Sequence, residues 1–195
     1  MSGVLSAQDV IREHLKRSAE TKLRTADACA ADIERAATLI AESFKAGGKL
    51  LICGNGGSAA DSQHMAAELV SRLTRDFERP GLPAIALTTD SSIMTAYAND
   101  FDFSGVFSRQ VQALGRAGDV LIGISTSGSA ANVISGVEYA RALGMRTIAL
   151  TAEGGQLANI VDIAVRVPSS TTAHIQEAHL AIEHTICYLV ERLLF

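Results

Sequence analysis

With 195 residues and a mass of 20.5 kDa, the chain is long enough for one domain with a sizeable core and short for two. Hydrophobic residues at 48% against charged residues at 19% exclude a disordered chain. Lys plus Arg number 17 and Asp plus Glu 21, a net charge of −4 that argues against nucleic acid as the main ligand. A small anion stays open, because a local nest of backbone N–H groups binds phosphate whatever the net charge.

In chain order, two helical segments come first. Ser6 is an N-cap candidate with Asp9 three residues on, and Val10, Ile11, Leu15 and Leu23 follow at roughly helical spacing. A second helix is expected from about Ala30 to Phe44, where Ile33, Ala36, Ala37, Ile40 and Phe44 share a face, and Gly47-Gly48 ends it. Lys49–Cys53 is a short apolar strand that breaks into Gly54-Asn55-Gly56-Gly57-Ser58 and a helix from Ala59 to about Arg72. Ala84–Leu87, Asp119–Ile124, Arg146–Leu150 and Ile163–Val167 read as four further strands. Helices are expected at about Ala131–Leu143 and about Thr172–Leu194, the last with an apolar stripe of Ile175, Ile182, Ile186, Leu189 and Leu193. Met65, Ile182 and Ile186 read as core. Short apolar strands alternating with helices predict one α/β domain over 1–195: a three-layer sandwich around a five-stranded parallel sheet.

In open parallel sheets, ligands bind at the carboxyl ends of the strands. Two loops rich in Gly and Ser lie there, Gly54–Ser58 and Ser125-Thr126-Ser127-Gly128-Ser129. Glycine lets the backbone approach a ligand, a helix N-terminus favours an anion, and the hydroxyls add donors. Each loop alone is equally an ordinary βα turn, but the two together read as a phosphate site flanked by donors for sugar hydroxyls. Gly54, Gly56 and Ala59 also fit a dinucleotide signature, yet no acid follows at the usual spacing and no Gly-Lys-Ser/Thr occurs, which sets nucleotides aside.

His64 and Glu68 are four residues apart on one helix face, and Gln176, His179 and His184 lie on the last helix. Two His, one Glu and one amide oxygen, from His64, Glu68, Gln176 and His184, are a ligand set that zinc accepts. Gln176 and His184 are roughly 12 Å apart along their helix, so their side chains would have to lean together. A His–Glu pair at this spacing is also a common surface pair. His14 is expected to be solvated, and His174 and His179 carry no assignment.

Cys29, Cys53 and Cys187 are far apart with no C-x-x-C, which suits reduced thiols and predicts a cytoplasmic protein. Met1–Gln8 lacks the pattern of a signal peptide, and no apolar run reaches about 18 residues, so no membrane association is expected.

Cys-Gly-Asn-Gly-Gly-Ser at 53–58, Gln63-His64 followed by Glu68, Ala98-Asn99-Asp100-Phe101, Gly123–Gly128 and Ile175-Gln176-Glu177 before His184 together resemble the phosphoheptose isomerase family of the sugar-isomerase (SIS) domain superfamily, over nearly the whole chain. The resemblance implies a flavodoxin-like SIS fold, a homotetramer with active sites at subunit interfaces, and isomerisation of sedoheptulose 7-phosphate to D-glycero-D-manno-heptose 7-phosphate through an enediol. That reaction opens the route to nucleotide-activated heptose for lipopolysaccharide or capsule. It further implies phosphate held by Ser58, Ser125, Thr126 and Ser127, and one zinc per subunit held by His64, Glu68, Gln176 and His184. Asn55, Gly56, Gly57, Asn99 and Asp100 are then near the sugar, Glu68 and Gln176 also belong to the substrate site, and Glu68 and His184 are the catalytic base and acid.

Two departures stand out. Ser129-Ala130 replaces the frequent Asn-Ser pair after Ser-Thr-Ser-Gly, so that hydroxyl is missing or supplied by Ser129. Ala173-His174 replaces the frequent Asp-Arg pair before Ile-Gln. Related non-enzymatic SIS scaffolds, which bind a replication-initiator protein, are the alternative. They usually lack the acid at Glu68, the second serine of the Ser-Thr-Ser loop and the histidine at His184, and all three are present here.

Overall fold

The computed structural model describes residues 6–195. In chain order the elements are α1 (Ala7–Lys45), β1 (Leu50–Gly54), α2 (Gly57–Val70), β2 (Ala84–Ala86), α3 (Ser91–Asp100), α4 (Val106–Leu114), β3 (Val120–Ser125), α5 (Ala131–Ala142), β4 (Arg146–Ala152), β5 (Ile163–Val167) and α6 (Thr172–Leu194). The five strands are all parallel, in the order β2-β1-β3-β4-β5, with helices on both faces. This is the three-layer α/β sandwich the sequence predicts, and its order is that of the flavodoxin-like doubly wound sheets.

Strand alternation sorts the core into two layers. Leu50, Ile52, Val120, Ile122, Ile124, Ile148 and Leu150 face α1, α2 and α6. Leu51, Cys53, Leu121 and Ala149 face α4 and α5, around the fully buried Phe107. Met65, Ile182 and Ile186 are buried in the first layer, as expected. The strand entries are fixed by Asp119, which accepts bonds from the Lys49 and Arg116 backbone N–H groups at 2.9 and 2.8 Å and pairs with the Lys49 ammonium.

The N-terminal region differs from expectation. One 39-residue helix replaces the two expected. Its start is as read: Ser6 Oγ accepts from the Asp9 N–H at 3.2 Å. The segment between the two apolar stretches stays helical because its buried face is made of small residues, Ser18, Thr21, Thr25 and Cys29. The hydroxyls of Thr21 and Thr25 donate to the carbonyls of Arg17 and Thr21, so burial leaves them satisfied. The expected apolar stripe points outward instead: Val10, Ile11, Leu15 and Leu23 are 53–68% exposed. Two helices not anticipated, α3 and α4, fill the long connection between β2 and β3. Among the described residues no helix is long and apolar enough to cross a membrane.

Candidate active site

The sheet reverses its winding between β1 and β3, and this switch point is where such sheets bind ligands. The loop after β1 and the loop after β3 sit side by side there. Their link is an amide pair: Asn55 and Asn132 each donate to the other's carbonyl oxygen at 2.8 Å, with Asn132 buried at the start of α5. Asn132 also accepts from the Val133 N–H at 3.0 Å.

Both loops need glycine. A Cβ on Gly54 would meet the Ser58 carbonyl oxygen at 2.7 Å, so only glycine lets the chain fold back into α2. Gly128 has φ +65°, and a Cβ there would meet the Gly154 carbonyl oxygen at 2.5 Å. In the second loop, Ser125 Oγ and Ser127 Oγ are 3.4 Å apart, and Ser127 Oγ accepts from the Ser129 N–H at 3.2 Å. Thr126 and Ser127 line a cavity of about 840 Å³ whose walls include Arg17, Arg24 and His174. Ser58, in the first turn of α2, is nearly buried.

The ionisable cluster lies on α2 and α6, which run side by side in the same direction from the carboxyl edge of the sheet. His64 Nε2 is 2.9 Å from His184 Nε2 and 3.1 Å from Glu68 Oε1, and His184 Nε2 is 3.4 Å from the same oxygen. Two imidazoles and a carboxylate therefore converge on one point. Glu68 Oε2 is buried without a hydrogen-bond partner. The imidazole side chains are 47% and 45% exposed, whereas Glu68 is 14% exposed.

Gln176 lies about two turns before His184 on α6. Its side chain rests against Gly57, and its amide nitrogen donates to both oxygens of Asp61, at 2.7 and 2.8 Å. The carbonyl end of the amide is the end not engaged by Asp61. Three of the four expected ligands are thus gathered directly, and the fourth, two turns back on α6, is held by the Asp61 carboxylate, which sequence reasoning missed. The signal was available: Gly57, Asp61, His64 and Glu68 follow one another on a single face of α2. Burial raises the pKa of Asp61, while its bond from Gln176 and the nearby His64 act the other way. Glu183 was missed as well. It is fully buried beside this cluster with neither oxygen paired, and burial pushes its pKa up to about 9, with Asp61 and Glu68 adding to the rise.

Asn99 and Asp100 end α3, where the Asn99 amide nitrogen donates to Asp100 Oδ1 at 2.9 Å. His14 is not simply solvated: it lies 3.3 Å from Glu177, with its ring 4.8 Å from that of His174. His179 is fully buried with Nε2 3.3 Å from the Thr151 carbonyl oxygen, and burial lowers its pKa to about 4.

The cluster fits a metal of the zinc type. Two ring nitrogens and a carboxylate oxygen already lie within bonding reach of a common point, an orphaned buried carboxylate oxygen stands beside them, and no thiolate is required.

Comparison with known proteins supplies the family context. A family model described as the SIS domain matches residues 13–152. A phosphoheptose isomerase of Roseiflexus is 54% identical over 184 residues, covering 94% of this chain and 92% of the relative. The solved phosphoheptose isomerase of Neisseria gonorrhoeae superposes with a TM-score of 0.90 at 43% identity, covering 96% of this chain and 100% of that one. That of Francisella tularensis gives 0.92 at 41% identity with the same coverage.

Proposed function

Since the chain belongs to the phosphoheptose isomerase family of SIS-domain proteins, we propose that it converts sedoheptulose 7-phosphate to D-glycero-D-manno-heptose 7-phosphate through an enediol. The observation that carries this reading is the meeting of Glu68, His64 and His184 on α2 and α6, with α2 starting from the Gly-rich loop after β1. Ketose–aldose isomerisation moves one proton between adjacent carbons and another between their oxygens. Glu68 takes the proton from C1 and returns it to C2. His184 gives a proton to O2 and removes one from O1, so the enediol forms and collapses with no net proton exchange. The Oε1–Nε2 separation of 3.4 Å lets both groups serve one two-carbon unit.

His64, Glu68, Gln176 and His184 are the residues that would hold zinc, one per subunit; when bound, it would polarise the carbonyl and stabilise the enediolate. Glu68 and His184 belong to both sets, so each would have to release the ion to act on a substrate proton. Asp61 fixes the Gln176 amide so that its carbonyl end is presented. Ser125, Thr126, Ser127 and Ser58 bind the phosphate, with Ser129 standing in for the missing family serine. Asn55, Gly56, Gly57, Asn99 and Asp100 complete the sugar site. Phosphate binding remote from the reacting carbons orients them.

The exposure of the catalytic imidazoles supports a homotetramer in which a neighbouring subunit covers each site. The outward apolar row Val10, Ile11, Leu15 and Leu23 supplies surface for that contact. The same assembly supports a role for Asn99 and Asp100 across an interface. The cytoplasm, with its reducing conditions, suits three free buried thiols. The product serves as precursor of activated heptose for lipopolysaccharide or capsule. The adjacency of Glu68 and His184 favours an enzyme over a scaffold for a replication initiator.

The test is turnover. Purified protein supplied with sedoheptulose 7-phosphate should yield the aldose phosphate in a coupled assay, and protein stripped of metal should lose that activity. Absence of turnover by the metal-loaded tetramer would defeat the reading.

A further inference from the structure

We propose that the chain carries a second divalent-cation site, built by His14 of α1 with His174 and Glu177 of α6, which clamps the N-terminal half of α1 to the start of α6. One ligand atom from each of the three residues lies within 4.8 Å of the other two. His14 Nε2 and Glu177 Oε1 are 3.3 Å apart. Ligand atoms around a tetrahedral zinc with bonds of about 2.0–2.2 Å stand roughly 3.3–3.5 Å apart. One pair is therefore at the required separation, and the other two lie within 4.8 Å, a gap that rotation of the half-exposed His14 and partly exposed Glu177 side chains toward His174 would close.

A second, independent observation points to a ligand. His174 is 5% exposed, yet its Nε2 has no hydrogen-bond partner; Glu177 Oε2 is also buried, with the Ser18 hydroxyl close enough to help lower the pKa of the carboxyl. An orphaned polar atom in a buried position is costly, and a cation shared with the Glu177 carboxylate would satisfy the His174 nitrogen. Two imidazoles with one carboxylate form a set that zinc and its neighbours in the first row accept, leaving a fourth position for water. That position opens on a cavity of about 330 Å³ lined by Val10, Glu13, His14, Arg17, Thr171 and His174. Of the nearby cations, Arg17 pairs with Glu13 at 2.6 Å, while Lys22 donates to Ser18 at 2.9 Å and its charge also reaches Glu177.

The site differs from the His64, Glu68 and His184 cluster in every ligand. It is nonetheless placed to affect the substrate cavity, because His174 lines that cavity too and His174 and Glu177 flank Gln176. A cation here would hold α1, the first turns of α6 and the cavity wall in one arrangement.

The experiment is a Co²⁺ titration of the metal-free full chain, read by visible absorption and by bound metal per chain after desalting. Wild type should take up about two ions, His14→Gln one, His184→Ala one, and the double variant none. His14 is half-exposed, so its substitution leaves the core intact. Zn²⁺ should also raise the melting temperature of His184→Ala but not of the double variant. Unchanged uptake in both His14→Gln and Glu177→Gln would overturn the proposal, as would uptake of no ion by His184→Ala. One ion in wild type, lost in His14→Gln but kept in His184→Ala, would support this site and overturn instead the metal reading at His64, Glu68 and His184.

Discussion

The two faces of the sheet are built from the same strands and have different characters. On one side, Phe107, Val106, Val111, Val133 and Val137 of α4 and α5 make an almost wholly apolar layer, in which Gln110 is a buried polar exception satisfied by the carbonyls of Leu87 and Val106. On the other, the packing of α1, α2 and α6 includes Asp61, Glu68, Arg79, His179, Glu183 and Glu191, among them unpaired buried oxygens. One layer stores stability, while the other gives up some of it to hold charge where water is excluded. Arg79 shows how that second layer is kept in order. Its guanidinium is buried, pairs with Glu191 of α6 at 2.8 Å, and donates to the carbonyl oxygens of Glu68 and Leu69 at 2.8 and 2.7 Å. It therefore caps α2 just where Glu68 sits.

Five substitutions test this contrast. The largest effect is expected at Glu68. Glu68→Gln keeps the shape but removes the base, and kcat on sedoheptulose 7-phosphate should fall on the order of a hundredfold to ten-thousandfold. His184→Ala should do likewise, with the double variant far from additive because both act on one enediol. A Glu68→Gln variant with nearly normal kcat would move the base elsewhere, to Asp100 first. Next is Arg79→Ala. Removing one member of a buried ion pair costs about 3–5 kcal/mol, which urea unfolding would register. A loss below about 1 kcal/mol would remove Arg79 as the organiser of this face.

Smaller is the acid response of His179. Its pKa is held near 4 in the folded chain against 6.5 when free, so the unfolded chain binds more protons between these values. Stability should be full above about pH 6.5 and should fall as the pH drops towards 4, by up to about 3 kcal/mol from this residue. His179→Gln should flatten that part of the stability-against-pH curve; an unaltered slope would assign the acid sensitivity to another group. The smallest effect is expected on the apolar face. Phe107→Leu should cost about 1–2 kcal/mol in stability and leave kcat unchanged. A large fall in kcat would show that the two faces are coupled.

The strands were legible because each is a short apolar run, and the loops that follow β1 and β3 carry Gly and Ser in a pattern few other uses require. Helix α1 read as two pieces because its middle buries Ser18, Thr21, Thr25 and Cys29, residues that carry no hydrophobic signal. Helix α3 buries none of its residues, so no periodicity could reveal it. In the candidate site, ligands on one helix face were readable from spacing. Their partners were not: Asn132 is 77 residues from Asn55 and Asp61 is 115 from Gln176, and only the fold brings a polar side chain to a mate at such distance.

The length of α1 has a hydrodynamic consequence. Thirty-nine residues at about 1.5 Å each make a rod of roughly 58 Å. A compact chain of 195 residues has a radius of gyration near 16 Å, a sphere of about 42 Å across. The helix therefore outreaches the body that it packs on, and a single chain presents an elongated outline to solvent. Such a particle diffuses more slowly than its mass suggests, so elution volume alone would overstate the number of subunits. Light scattering, which weighs the particle whatever its outline, is the measurement from which the assembly should be counted.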